Sequence, residues 1–518
     1  LFCRDFIFPQ TGDYFISNYS SNQYNAAIRN FDIIQDDFGL IYVANNSALL
    51  EYNGKSWNAI HLPGDKTPLS LAKSEDGNIY VGSEDEFGLL EKNSKGRMHY
   101  RSLIAKLEKD ERDFTEIRNT LTIKNDVFFC ANERIIRYSN GRIKTWKPSV
   151  SFHKPQVVNG HLLVHEFGVG LMCLKEGKLE KIIGSEILAP AEFRIACFIP
   201  WKKENEYLII TRKKGVFYFF LDNADPVKSK IVKANESVFK ALGKFEPYDG
   251  VALGNGNIAI GSLDQGIFVF DHNFRLQQNI NSSKGCIDDA VRRMFVDRQK
   301  NLWVALNNGI SKIEISCPLT KWDRINQVQG SVGSMVFYKK QCYLATSKGL
   351  LKLDSAERIF ERVGIADRCT DLKIVKGKLF IGSESGLWRS DGKNFELIYD
   401  KDVVNQVRYS SDFPDRLFCA CSDGIAVIGI DGEKISEITS PLESDVLYLA
   451  FGPQKNIIAS TRRAGLYYCD PENEKNSIIP ENPLYIRDHG NFVTEHQGNI
   501  YVGSDSGLIQ LDGNTFKP

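Results

Sequence analysis

At 518 residues the chain exceeds what one ordinary core holds, because domains usually run to about 50–250 residues, and two or more domains are expected. Apolar residues make up 42% and charged residues 25%, the balance of a globular protein, which excludes a disordered chain. Lys+Arg and Asp+Glu both total 65, so no net field is available to steer a polyanion, and nucleic acid is not an expected partner.

The chain starts Leu1-Phe2-Cys3-Arg4, with neither Met nor a basic stretch, which leaves room for a removed leader. Residues 1–30 lead into the first repeat. Its turn and strand, Gln35-Asp36-Asp37-Phe38-Gly39-Leu40-Ile41-Tyr42-Val43, return as Ser74-Glu75-Asp76-Gly77-Asn78-Ile79-Tyr80-Val81 and as Glu495-His496-Gln497-Gly498-Asn499-Ile500-Tyr501-Val502. Each is a polar turn followed by an alternating strand. A second turn and an apolar run follow, as in Gly382-Ser383-Glu384-Ser385-Gly386-Leu387-Trp388 and Gly503-Ser504-Asp505-Ser506-Gly507-Leu508. Most units then have room for a fourth strand, such as Ser56-Trp57-Asn58-Ala59-Ile60. Asp, Asn and Gly suit the left-handed backbone of tight hairpins, and Val, Ile, Tyr and Phe suit a pleated, half-buried surface.

An apolar second-strand residue anchors each unit: Val43, Val81, Phe129, Val164, Ile209, Ile260, Val304, Leu344, Ile381, Phe418, Ile458 and Val502. The spacing averages about 42 residues, which fits β-propeller blades and is too long for leucine-rich repeats. The charged stretch from Leu103 to Arg118 interrupts the pattern and is expected to be an inserted loop or short helix. Since propellers close with about four to eight blades, twelve units are expected to form an all-β chain of two consecutive propellers of four-stranded blades. Seven blades are expected in residues 31–318 and five in 319–518, with the boundary near Ser316-Cys317-Pro318-Leu319-Thr320 and the second ring cut short or continued past Pro518. Six plus six is the alternative.

No apolar run approaches the ~18–20 residues of a membrane helix. The eleven cysteines lack C-x-x-C spacing, and Cys419 and Cys421, two apart on a strand, read as packed thiols; such usage by itself suggests a reducing compartment. No metal site or cofactor is expected. There is no G-x-S-x-G elbow, and the serines of Gly82-Ser83, Gly261-Ser262, Gly382-Ser383 and Gly503-Ser504 recur at blade period, which marks them as structural. His161 and His165 fall on a strand, where i, i+4 spacing is not the helical pair of a zinc site. The pairs Asp36-Asp37 and Asp288-Asp289 sit at turns or strand starts, and Gly254-Asn255-Gly256-Asn257 precedes a strand, unlike a phosphate loop. No catalytic residue is assigned.

Asp297-Arg298-Gln299-Lys300-Asn301-Leu302-Trp303-Val304-Ala305-Leu306-Asn307-Asn308-Gly309-Ile310-Ser311-Lys312-Ile313 resembles the two-component regulator propeller repeat, with its Leu-Trp strand and Asn-Gly turn. Phe15-Ile16-Ser17-Asn18-Tyr19-Ser20 with Tyr24 and Glu51-Tyr52-Asn53-Gly54-Lys55-Ser56-Trp57 resembles the opening of such sensors. The resemblance covers most of the chain. It implies a ligand-sensing region of a bacterial histidine kinase or related signalling protein, periplasmic or extracellular, that passes a signal through later parts and a membrane helix to an output domain. Cysteines in strands at Cys130, Cys419 and Cys421 depart from the family pattern.

In a propeller the second-to-third turns and the blade-to-blade connections open on one face around the channel, and loops on a rigid scaffold carry function. Ligand-binding candidates on these turns are Phe87, Glu133, Phe167, Arg212, Lys213, Asp264 and Asn307 in the first ring, with Arg462 and Arg463 in the second. Mixed charge with aromatics suits a small polar ligand such as an oligosaccharide, or a peptide. The two basic turns, Arg212-Lys213 and Arg462-Arg463, suit an anionic group. A ligand-shifted homodimer is one form the response could take. A propeller lyase or glycoside hydrolase and a protein-interaction scaffold are the alternatives.

Overall fold

The computed structural model describes residues 12–93, 98–243, 245–355, 358–431, 434–438, 445–452, 455–472, 475–479, 491–504, 507–512 and 515–517. Leu1 to Arg4, the turn residues Asp505 and Ser506, and Pro518 lie outside them. The described residues form twelve four-stranded antiparallel sheets. They divide into two compact units, Asp13–Lys321 and the residues from Trp322 onward. The chain is therefore all-β, two consecutive propellers of four-stranded blades, with seven sheets in the first unit and five described in the second.

All twelve anchor residues lie on second strands, and all are buried. The alternation of apolar and polar residues sets this outcome, because the second strand is covered by a neighbouring sheet on each face. In the first unit the core is accordingly a circle of separate apolar clusters, one at each interface between blades. Phe129, for example, meets Tyr80 and Phe87 of the preceding blade. A fully buried side chain of this kind contributes roughly 1.5–3 kcal/mol. The recurring Gly-Ser pairs serve this packing. A Cβ on Gly82 would lie 2.3 Å from Cγ2 of Ile117, and one on Gly261 would lie 2.5 Å from Cγ1 of Val291, both on the next blade's approach. The Ser83 hydroxyl donates to the Thr67 carbonyl at 2.7 Å, as a structural serine does.

Within each unit the first strands are the inner ones, each beside the first strand of the next blade. In the first unit the series closes, because strand Val291–Val296 packs beside Asn30–Gln35. The seventh blade has only three strands from its own stretch of chain. Its fourth is Ile16–Tyr19, from the segment expected merely to lead into the ring. Ile16 lies opposite Ile313 and Tyr19 opposite Ile310, which covers an otherwise open sheet edge. Tyr19 stacks on Trp303 with ring centroids 5.8 Å apart and meets Tyr52 and Trp57 of the first blade, so an aromatic seam joins blade seven to blade one.

The stretch from Leu103 to Arg118 holds two single-turn 3-10 helices, Ile104–Lys106 and Lys109–Glu111. Leu103, Leu107, Phe114 and Ile117 fill the interface between the second and third blades, so this insertion belongs to the core.

Candidate functional site

Six of the seven inner strands of the first unit carry a β-bulge at the same level. A bulge opposes two residues to one and re-aims a side chain. The bulged residues are Phe31, Leu69, Lys154 with Pro155, Ala196, Tyr248 and Arg292. All except Ala196 line a cavity of about 490 Å³ at the mouth of the channel, to which every blade of the ring contributes. Lys154 has φ of +42°, a left-handed conformation that a non-glycine residue holds only at a cost. The corresponding bulges of the second unit carry Gly333, Thr370, Asn405 and Leu447, none of them charged.

The cavity wall is strongly cationic. Arg29, Arg118, Lys154, Arg194, Arg212, Arg292 and Arg293 line it, against Asp32, Glu84 and Glu116. At its floor the charges are matched: Arg293 Nε lies 3.1 Å from Asp32, and Lys154 Nζ lies 3.3 Å from Asp249. Arg293 also reaches Asp249 at 3.6 Å. Burial raises the Asp32 carboxyl above its ordinary range, and the Arg293 charge only partly offsets it. Arg118 pairs with Glu116.

Between blades five and seven the balance differs. The Arg212 amide donates to the Arg194 carbonyl at 2.9 Å, which sets the two residues side by side. The Arg212 guanidinium lies 4.8 Å from the Tyr248 ring centroid and the Arg292 guanidinium 5.6 Å, so this tyrosine is flanked by two cations. Arg292 donates to Asn307 Oδ1 at 2.8 Å and to the Tyr248 hydroxyl at 3.5 Å. Arg212 reaches a carboxylate, Glu246, only at 3.8 Å, and Lys213 shares that carboxylate at 3.4 Å. Burial first, then the charges of Arg194 and Arg292, push the Arg212 guanidinium below its ordinary value, while Tyr248 and Glu246 partly offset them. Burial would raise the Tyr248 phenol, but its bond from Arg292 and the charges of Arg292, Lys154 and Arg212 bring it below its ordinary value. His153, also on the wall, is pushed down to about 3 by burial and then by His165 and the nearby cations.

The residues expected from the second-to-third turns fall in several places. Arg212 lines the cavity, and Lys213 beside it is exposed. Phe167 stacks on His153 with centroids 5.2 Å apart, beneath the Arg194 guanidinium at 5.9 Å. Asn307 holds Arg292. Glu133 is exposed and accepts from the Thr115 hydroxyl at 3.4 Å. Asp264 is exposed on its turn, where its amide donates to Ser262 Oγ at 3.4 Å. Arg462 and Arg463 belong to the second unit, where Arg462 Nε lies 2.8 Å from Asp445. Phe87 needs correction. Asp85, at φ of +46°, closes the hairpin early, Ser83 pairs with Glu86, and Phe87 is a fully buried strand residue packed on Phe114 and Phe129.

Reading the turns alone missed Lys154, Tyr248 and Arg292 on the bulges and Arg194 on a blade connection. Their signal is a basic or aromatic residue in or just before an inner strand, as in Val291-Arg292-Arg293-Met294. His165 is buried with Nε2 2.6 Å from the Leu188 carbonyl oxygen, and no group of three or more His, Cys, Asp or Glu side chains suited to a metal occurs among the described residues.

No protein-family model and no curated protein matches the sequence. Among solved structures, the chain is similar to the extracellular domain of BT3049, a candidate hybrid two component system from B. thetaiotaomicron. The TM-score is 0.68 at 16% identity, over 97% of this chain and 72% of that one. It is also similar to the extracellular domain of BT4673, a candidate one component system of the same organism, with TM-score 0.45 at 15% identity over 97% and 72%. Virginiamycin B lyase from Staphylococcus aureus gives 0.43 at 13% identity, over 58% of this chain and 99% of that one. The first likeness shows a shared fold across nearly the whole chain.

Proposed function

We propose that this chain is the ligand-sensing, extracytoplasmic region of a bacterial two-component-type signalling protein, and that its ligand seats in the channel mouth of the first ring. The observation that carries the reading is the cavity itself. It is large enough for a small molecule, every blade of one closed ring reaches it, and bulges in the inner strands turn side chains into it. A ligand touching all seven blades senses their mutual arrangement, and one with unequal affinity for two arrangements shifts their populations. The fold shared with the extracellular domain of a candidate two component system supports the setting. Nine of the ten described cysteines are buried, Cys317 being half-buried, and burial protects thiols in an oxidising compartment.

The test is thermal unfolding of the purified chain against a library of oligosaccharides, peptides and small anions, with product analysis of every hit. A ligand that binds the folded state alone raises the midpoint in a dose-dependent way and is recovered unchanged. Turnover of the hit would overturn the sensor reading in favour of an enzyme. Silence across every class would remove the channel mouth as a ligand site.

A further inference from the structure

We propose that Arg212 and Arg292, which flank Tyr248, together with Arg194 beside Arg212, form a subsite for a polyvalent oxyanion, so that the ligand of the first ring is an acidic molecule. This rests on the channel mouth being the ligand site and names the chemistry that it accepts.

Three observations lead to it. The first is an electrostatic cost that the fold itself does not relieve. The ladder continues from Ile195 opposite Thr211 into the bond from the Arg212 amide to the Arg194 carbonyl, which places two like charges opposite each other, a destabilising pairing. Elsewhere in this ring, sheltered cations have close carboxylates: Arg134 Nη2 lies 2.5 Å from Asp113, and Arg293 lies 3.1 Å from Asp32. Among the described residues Arg212 has only the distant, shared Glu246, and the hydrogen bonds of Arg292 go to neutral groups.

The second observation is unused hydrogen-bonding capacity. Arg212 Nε and His153 Nδ1 are both shut off from solvent with no hydrogen-bond partner among the described residues, although both side chains line the cavity. A buried donor without a partner is costly, and a small side-chain rotation that turned it to an acceptor seated in the cavity would relieve that cost. Held neutral, His153 can donate to an anion without adding to the crowd of charge.

The third concerns the aromatic rings beside these arginines, which, unlike Phe31 elsewhere on the wall, have cations over their faces. A neutral sugar packs its ring on an open aromatic face. Here Tyr248 is flanked by Arg212 and Arg292, and Phe167 lies against His153 and beneath Arg194. Guanidiniums in this setting match carboxylate, sulfate or phosphate through paired N–H···O bonds.

The experiment measures binding to the intact 518-residue chain by calorimetry and thermal unfolding. The probes are inorganic sulfate, inorganic phosphate, digalacturonate, sucrose octasulfate and, as the neutral control, cellobiose. The anionic probes are expected to raise the unfolding midpoint while cellobiose does not. Binding by sulfate or phosphate alone would identify a free inorganic anion as the ligand, and tighter binding by the charged sugars would identify an acidic glycan. Arg212→Gln and Arg292→Gln should each weaken binding by about tenfold or more, the worth of a charged hydrogen bond. The same variants should unfold, without ligand, at an unchanged or higher temperature, because each removes uncompensated positive charge. Merely structural arginines would lower it. Arg142→Gln, exposed on the outer strand of the third blade, should leave binding unchanged. Cellobiose binding without anion binding would overturn the oxyanion subsite and leave the channel-mouth site standing. Undiminished anion binding by both Arg212 and Arg292 variants would also overturn the subsite, whereas silence from all probes and from the wider library would remove both.

Discussion

Asp371 accepts a hydrogen bond from the Val407 amide at 2.9 Å, reaching from one inner strand to the next blade's inner strand. The link recurs: Asp32 accepts from the Leu71 amide and Asp249 from the Met294 amide, both at 2.8 Å, and Gln406 from Leu449 at 2.7 Å. Each acceptor stands just after a bulge, so the irregularity that aims one residue at the channel mouth frees the following one to tie blades together. Asp371→Ala should cost about 1–3 kcal/mol in denaturant unfolding, because it leaves the Val407 N–H without its acceptor. Faster hydrogen exchange at Val407 than in the parent protein would locate the loss there.

Arg293→Met should destabilise the first ring at neutral pH by about 3 kcal/mol, because it strips the buried Asp32 of its cation and leaves the buried Asp249 with Lys154 alone. Asp32 is already raised by burial, and without Arg293 it rises further. A carboxyl raised in the folded state takes up its proton before the unfolded one as the pH falls, so the penalty should shrink as the pH is lowered from neutral toward the ordinary carboxylate range at about 4. A penalty that stayed constant over that range would mean lost packing and not unpaired charge.

His153 is neutral in the folded protein down to about pH 3, whereas the unfolded residue takes its proton near 6.5. Between those values the unfolded state binds more protons, and stability is lost as pH falls from 6.5 toward 3. His165, lowered chiefly by burial, acts in the same direction. His153→Gln should flatten the acid limb of a midpoint-against-pH curve, and an unchanged slope would assign that limb to other groups.

Trp303 is buried on the seam between blades seven and one, stacked on Tyr19 and bonded through Nε1 to Asp297 at 2.9 Å. Trp303→Ala should cost about 3–5 kcal/mol by chemical denaturation. Tyr19→Ala should be milder, since Tyr19 is only partly buried. Equal losses would mean that the added strand, and not the buried indole, dominates the seam.

The blades were legible because each second strand repeats one short pattern between Asp, Asn and Gly turns, and because Val43, Val81 and their counterparts must all be apolar to sit between sheets. The turn carrying Arg212 could be read for the same reason. Tyr248 and Arg292 could not, because a bulge changes which way a residue faces without changing the residue types around it, and a strict alternation assigns them to the wrong side. Phe87 shows the opposite failure. Glu84-Asp85-Glu86-Phe87 has the composition of a long turn, but the left-handed Asp85 shortens it by two residues. The role of Ile16–Tyr19 was hidden because its partner strand, Ile310–Ile313, stands at the far end of the unit.

That separation also fixes an order of events during synthesis. Tyr19 leaves the ribosome early, yet the strand it pairs with comes almost three hundred residues later, on the order of tens of seconds at ordinary translation rates. Through that interval the flank of the first blade, with Tyr19, Tyr52 and Trp57, has no Trp303 to cover it. The nascent ring therefore passes through an open form whose aromatic edge stays uncovered until the strand carrying Trp303 has been made.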